Sequence, residues 1–295
     1  MSTSAPKGGQ VDFTRRFLPE SFTPLFHTNV YRGLQEPVRL RYNQLHALYF
    51  NEQVAYFEQE MLSPMLRALQ KSPLPPGLTA KLDVFLDDEQ RHTAMFHELN
   101  QRCAPEFYAN SAYKFIRVNS WGQALIAGIS SRPNLFPLIA WLTLLQEERA
   151  LFYSKGCLEE AAELEPHFVA THRAHLADEV GHVRVDEELL DWLWPRANRM
   201  IRFLNTRMLC WMIGEFFLLP KRGGLCVVDQ LAQEFSALDV GRLHRELNDL
   251  GTNAAYLSTL YSREMTPRSF ARFDAHPEFG LISRTLPGYA TPRST

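Results

Sequence analysis

Two stretches decide the fold: Asp88-Glu89-Gln90-Arg91-His92 and Asp178-Glu179-Val180-Gly181-His182. Both read Asp-Glu-x-x-His. On a helix, a Glu and a His three positions apart lie on one face, one above the other. A carboxylate stacked with an imidazole in this way is half of a metal site. Two such halves, completed by one Glu from each of two further helices, build the dinuclear carboxylate centre of ferritin-like bundles. The fold class that follows is all-α, a ferritin-like four-helix bundle with additional C-terminal helices.

Outward from these motifs, periodicity is helical almost throughout, with no convincing strand alternation. Breakers such as Ser72-Pro73-Leu74-Pro75-Pro76-Gly77 and Ser130-Ser131-Arg132-Pro133-Asn134 bound predicted helices over about 37–70, 78–103, 112–129, 135–163 and 166–194. Residues 1–34 read as an irregular leader, whose start, Met1 to Gln10, lacks the apolar core of a signal peptide. Residues 35–265 read as one helical domain with a C-terminal extension. Residues 266–295, interrupted by Pro267, Pro277, Pro287 and Pro292, read as an irregular tail.

The chain has 295 residues, 45% hydrophobic and 22% charged, enough for a substantial core of ordinary globular composition. A formal charge of −2 gives no electrostatic footprint for nucleic acid or an anionic membrane. The most apolar run, Met208 to Leu219, is broken by Glu215 and too short to cross a bilayer, so it reads as core. Cys103, Cys157, Cys210 and Cys226 are scattered without a Cys-x-x-Cys pair, as expected of reduced thiols in the cytoplasm.

Helical phase selects the remaining ligands. In the first long helix Glu58 shares a stripe with Val54, Ala55, Met61, Leu62 and Met65, whereas Glu52 and Glu60 project off it and read as solvated. In the third, Glu148 sits among Trp141, Leu144, Leu145, Leu151 and Phe152. Glu147 falls with Thr143, Gln146 and Ser154, which reads as a surface side. In the fourth, His175, Glu179 and His182 share one narrow face, with His172 one turn earlier either supporting a ligand from behind or packed in the core. The candidate ligands are therefore Glu58, Glu89, His92, Glu148, His175, Glu179 and His182. Four carboxylates offset the four charges of a diferrous pair, and mixed oxygen and nitrogen donors suit iron, or manganese, over a thiolate-bound metal. Ligating imidazoles give their second N–H to a carboxylate, so Asp178 is expected to hold His92 and Asp88 to hold His182. One Glu-x-x-His alone is more often a surface pair. Two of them, each preceded by Asp on an apolar face, are hard to dismiss.

Asn51-Glu52-Gln53-Val54-Ala55-Tyr56-Phe57-Glu58-Gln59, Asp88-Glu89-x-x-His92-Thr93 and His175-Leu176-x-Asp178-Glu179-x-x-His182 resemble the p-aminobenzoate N-oxygenase (AurF-like) family of diiron oxygenases. The resemblance covers about residues 37 to 190. It implies Glu58 as the ligand of its string, His175 over His172 as a seventh ligand, and Glu148 by an ungapped reading back from His175. It further implies two irons, dioxygen as co-substrate, a homodimer, and oxidation of an amine, often an arylamine, through a peroxo-diiron intermediate. No dinucleotide fingerprint or cysteine cluster is present, so an external reductase is expected. C-hydroxylation, desaturation or oxidative cleavage on the same centre, a ferroxidase or storage protein, and a metal-free scaffold are the rivals.

Overall fold

A computed structural model describes residues 9–219 and 221–290. In chain order the helices are α1 (Glu36–Phe57), α2 (Ser63–Leu69), α3 (Leu78–Cys103), α4 (Pro105–Tyr108), α5 (Ser120–Ser130), α6 (Leu138–Glu159) and α7 (Pro166–Leu193). They continue as α8 (Arg199–Met212), α9 (Lys221–Glu234), α10 (Val240–Leu250), α11 (Ala254–Leu260), α12 (Pro267–Ala275), α13 (Ile282–Thr285) and α14 (Pro287–Ala290). Among the described residues no strand forms, and the only extended pairing is an isolated bridge between Arg16 and Leu164. The fold is all-α. None of the described helices is long and apolar enough to cross a membrane.

Four long rods make the bundle: α1 with α2, then α3, α6 and α7. Helix α3 packs on both α1 and α7, and α6 lies along α7. Helix α9 covers α1, while α8 and α12 cover α6. Local chemistry sets the ends. Gly77, at φ +85°, takes the left-handed turn that starts α3, a conformation other residues adopt at a cost. Glu165 caps α7 by accepting from the backbone N–H of His167 (2.7 Å) and Phe168 (3.0 Å), with Pro166 in the first turn.

The first rod is not one continuous α-helix. A π-helical turn, Glu58–Leu62, joins α1 to α2, and the Ser63 N–H donates to the Glu58 carbonyl. Pro64 follows at once. It has no N–H to give, and its ring crowds the carbonyl one turn back, so the helix widens locally. That wider turn carries Glu58.

The connecting segment differs from a helix over 112–129. Only Ser120–Ser130 is helical, started by Asn119, whose side chain accepts from Gly122. Ahead of it, the backbone N–H groups of Lys114, Phe115 and Ile116 donate to Glu52 at 2.8, 2.9 and 2.9 Å, and the Tyr108 hydroxyl donates at 2.8 Å. Glu52 is therefore buried rather than solvated: it ties this segment to α1.

Both chain ends are more structured than their composition suggests. Residues 1–8 and 291–295, including most of the Met1–Gln10 leader and Pro292, lie outside the described residues, as does Pro220. Residues 11–34 form short 3₁₀ turns whose Phe17, Leu18 and Leu25 are fully buried. Asn43 on α1 holds this segment, accepting from Phe17 N–H and donating to the Leu18 carbonyl, both at 2.8 Å. The expected irregular tail instead contains α12, α13 and α14. Trp141 stacks on Phe273 (5.4 Å) and Trp194 on Phe279 (5.5 Å). Burying such rings gives about 1.5–3 kcal/mol each, enough to order short helices around prolines. Within 208–219, Leu209, Met212 and Ile213 are core, but Trp211 and Phe216 are about half exposed, so that run is core on one side only.

Candidate metal centre

Three rods deliver their side chains to one point. Glu89 and His92 come from α3, and His175, Glu179 and His182 from α7. Glu58 comes from the π turn, and all six are buried. His175 Nε2 lies 2.7 Å from Glu179 Oε1 and 3.4 Å from Glu58 Oε1. His182 Nδ1 lies 3.0 Å from Glu89 and 3.6 Å from Glu179, and His92 Nδ1 lies 3.4 Å from Glu179. Two overlapping donor groups result: Glu89, His92, Glu179 and His182, and Glu58, His92 and His175, with donor atoms in each within 4.8 Å of one another.

The donors are oriented from outside. His92 Nε2 faces Asp178 at 3.1 Å and His182 Nε2 faces Asp88 at 3.3 Å, the cross-bundle pairing expected from the repeated motif. With Nε2–H given to an aspartate, each ring turns its Nδ1 lone pair inward. Arg91 completes this shell by donating to Asp88 (2.7 Å) and Asp178 (2.6 Å). Its Asp88-x-x-Arg91 spacing was the available signal for it. Thr93 donates to Glu58 at 3.1 Å. Phe85 stacks on His182 (4.1 Å), and Phe96 meets His175 edge-on (5.1 Å).

The structure does not bring Glu148 to this point. Its oxygens accept from the backbone N–H of Arg268 (2.8 Å) and Ser269 (2.7 Å), at the start of α12. Glu147 turns inward instead, and its Oε2 lies 3.9 Å from His182 Nδ1. It is buried, as are Thr143 and Ser154 on the same stripe. The polar side of α6 is an interior side, because the centre it borders is itself polar. His172 is buried a turn before His175, with Nδ1 3.3 Å from Ser154 Oγ.

Electrostatics fit a site made for cations. Burial pushes Glu89 up to about 8 and, with Glu89 and Glu179 as like charges, holds Glu58 well above the usual carboxylate range. Burial drives His175 well below the ordinary imidazole value. Burial also opposes a charged His182, but the adjacent Glu179 and Glu89 carboxylates carry it up to about 11. Both oxygens of Glu89 and of Glu179 lack a hydrogen-bond partner, as do His92 Nδ1, His175 Nε2 and His182 Nδ1. So many buried, unpartnered donors aimed at one volume cost several kcal/mol unless a cation satisfies them. Two divalent ions fit this donor set. Asp186, one turn beyond His182, is a further buried carboxylate with both oxygens unpartnered, passed over in the sequence because it lies outside the repeated motif.

A four-helix bundle with paired Glu-x-x-His units facing inward defines the ferritin-like class of helical proteins with a carboxylate–histidine centre. Residues 4–219 match the p-aminobenzoate N-oxygenase AurF family, and the chain belongs to that family of oxygenases. No curated protein sequence matches the chain.

Proposed function

We propose that the protein is a non-haem diiron monooxygenase that N-oxygenates a small amine, with an arylamine as the leading substrate class and hydroxylamine, nitroso or nitro product. The observation that carries this reading is the set of unpartnered donor atoms of Glu89, His92, His175, Glu179 and His182 converging beside Glu58 in a chain of this family. Glu58, Glu89, His92, Glu147, His175, Glu179 and His182 are the proposed ligands. When bound, a pair of irons supplies dioxygen reduction and transfer of one oxygen atom. The chain's own part is positional. Asp88, Asp178 and Arg91 keep His182 and His92 in the tautomer that offers Nδ1, and Thr93 fixes Glu58. Phe85 and Phe96 exclude water on two sides.

The electrons come from an external reductase, the protein acts as a homodimer, and the free cysteines support a cytoplasmic location. Reaction of the iron-loaded protein with a panel of arylamines under ¹⁸O₂ tests the reading. Labelled oxygen on nitrogen is the expected result. Label on carbon alone, or a mineral core after iron loading, refutes it.

A further inference from the structure

Helix α8 turns polar groups inward and large apolar ones outward, the reverse of a helix that packs on one side only. Its buried face holds Asn205 and Thr206 beside Leu209 and Met212. Asn205 donates to the Leu135 and Ile201 carbonyls and Thr206 to the Arg202 carbonyl, all at 2.9 Å, so both are satisfied there. Met200, Phe203, Leu204 and Trp211 share the opposite stripe, and Phe216 follows in a π turn, Ile213–Phe217. These five side chains are 49–64% exposed. At about 150–250 Å² for a large ring, they expose on the order of 500 Å² of apolar surface, the size at which a patch is commonly functional.

The same face is cationic. From Trp192 to Gly214 the chain has four arginines and no Asp or Glu, although its net charge is −2. Arg202 is held by Glu278 at 3.1 Å. Arg207 lies over the Phe203 ring at 4.6 Å, and neither it nor Arg284 of α13 forms an ion pair among the described residues. Both arginines border a groove of about 240 Å³ whose sides include Phe203, Leu281 and the already paired Glu278. A second copy would set these arginines against their own equivalents across a two-fold axis. A stable dimer also needs about 800 Å² per partner, whereas electron-transfer encounters use less than about 600 Å².

An aromatic route leads inward from the face. Trp211 and Phe216 meet edge-on at 5.5 Å. Phe217, next in the chain and half-buried, meets Phe57 edge-on at 6.0 Å, and Phe57 adjoins Glu58. A lipid surface has no use for such a route; an electron carrier does.

We propose that this face of α8 docks an acidic iron–sulfur electron carrier, its apolar centre seated on Phe203, Leu204 and Trp211 and its carboxylates on Arg207 and Arg284. The proposal rests on the oxygenase reading, which needs an external donor. Each oxygen atom inserted takes one electron from each of two reduced carriers and two protons from solvent, and the second oxygen atom leaves as water.

The test uses the full-length iron-loaded chain under argon and, as probe, an acidic plant-type two-iron ferredoxin. Calorimetry reads binding, and stopped-flow spectra read reduction of the oxidised centre by ferredoxin or by dithionite. Binding weakens as salt rises from about 0.05 to about 0.5 M. R207E combined with R284E slows reduction by ferredoxin about 10- to 100-fold and leaves reduction by dithionite unchanged. W211A weakens the complex about 10-fold. Melting curves establish that the variants fold; should one unfold, R207Q and the salt dependence of the unaltered chain decide. Ferredoxin binding that is absent, or untouched by charge reversal, overturns the proposal. So does conversion of a dimer to monomers by the charge reversal, which assigns the face to a second copy, or adsorption to phosphatidylserine vesicles in place of ferredoxin binding. Amine oxidation by the dithionite-reduced protein without ferredoxin binding refutes the docking alone, whereas ferredoxin binding without any amine oxidation refutes the oxygenase reading.

Discussion

Glu147 and Glu148 are neighbours in sequence with opposite assignments, and replacing each by alanine separates them. Glu148 accepts two backbone N–H bonds, at 2.8 and 2.7 Å, from the first turn of α12. Hydrogen bonds to a charged group contribute about 1.5–3 kcal/mol each, and a carboxylate at a helix N-terminus adds about 0.3–1 kcal/mol. Burial of that carboxylate opposes this, since it raises the Glu148 carboxyl despite both amides, and water entering the vacated space recovers a further part. The net loss for Glu148→Ala is therefore about 1–3 kcal/mol, or about 2–5 °C in a chain of this size. Its iron content stays near that of the unaltered protein. Glu147 makes no hydrogen bond in this structure, and its Oε2 stands 3.9 Å from His182 Nδ1. Glu147→Ala therefore changes the metal-free melt by less than about 1 kcal/mol but lowers bound iron. Thermal melts of the metal-free proteins and iron analysis after anaerobic loading measure both. Loss of iron in Glu148→Ala with an unchanged melt, alongside full iron in Glu147→Ala, refutes the reasoning.

Three further expectations concern the shell, the connecting segment and acid stability. Asp88→Ala and Asp178→Ala each lower metal affinity about 10- to 100-fold by releasing His182 and His92; competition with a chelator measures this, and unchanged affinity contradicts it. Glu52→Ala costs about 3 kcal/mol or more, because four donors lose their acceptor. Faster amide exchange at Lys114 to Ile116 reports the release, and unaltered exchange excludes it. His46 is held at about 3 against an ordinary 6.5, by burial first and the Arg149 charge second. Between those values the unfolded chain binds a proton that the native chain does not. The stability His46 contributes is thus present above pH 6.5 and is lost as pH falls toward 3, at up to about 1.4 kcal/mol per pH unit. Urea unfolding of H46Q shows a flatter acid slope, and identical slopes count against the assignment.

Much of the bundle was legible because its signals are local. The Asp-Glu-x-x-His repeat brings Glu89, His92, Glu179 and His182 together with their cross-bundle aspartates, and proline and glycine bound α3 and α7 almost to the residue. What failed depended on partners distant in sequence. Glu52 reads as solvated by phase, yet backbone N–H groups more than sixty residues away bury it. Glu148 has the apolar neighbours expected of a ligand, but α12 claims it from 120 residues downstream. Glu147 was misread because a polar stripe on a helix ordinarily faces water, whereas here it borders a polar interior. Pro64 carries a readable signal for the π turn beneath Glu58, which unbroken helical periodicity over 37–70 masks. The tail's prolines masked helices that are ordered by aromatic stacking on Trp141 and Trp194.

The most direct test is the iron stoichiometry of the full-length chain after anaerobic ferrous loading, measured with Mössbauer spectra before and after a dioxygen pulse. Two irons per chain, magnetically coupled once oxidised and lost together in His182→Ala and Glu89→Ala, are the predicted result. A single tightly held ion, or iron retained when both half-sites are dismantled, contradicts the convergence of α3, α7 and the Glu58 turn on a paired metal centre.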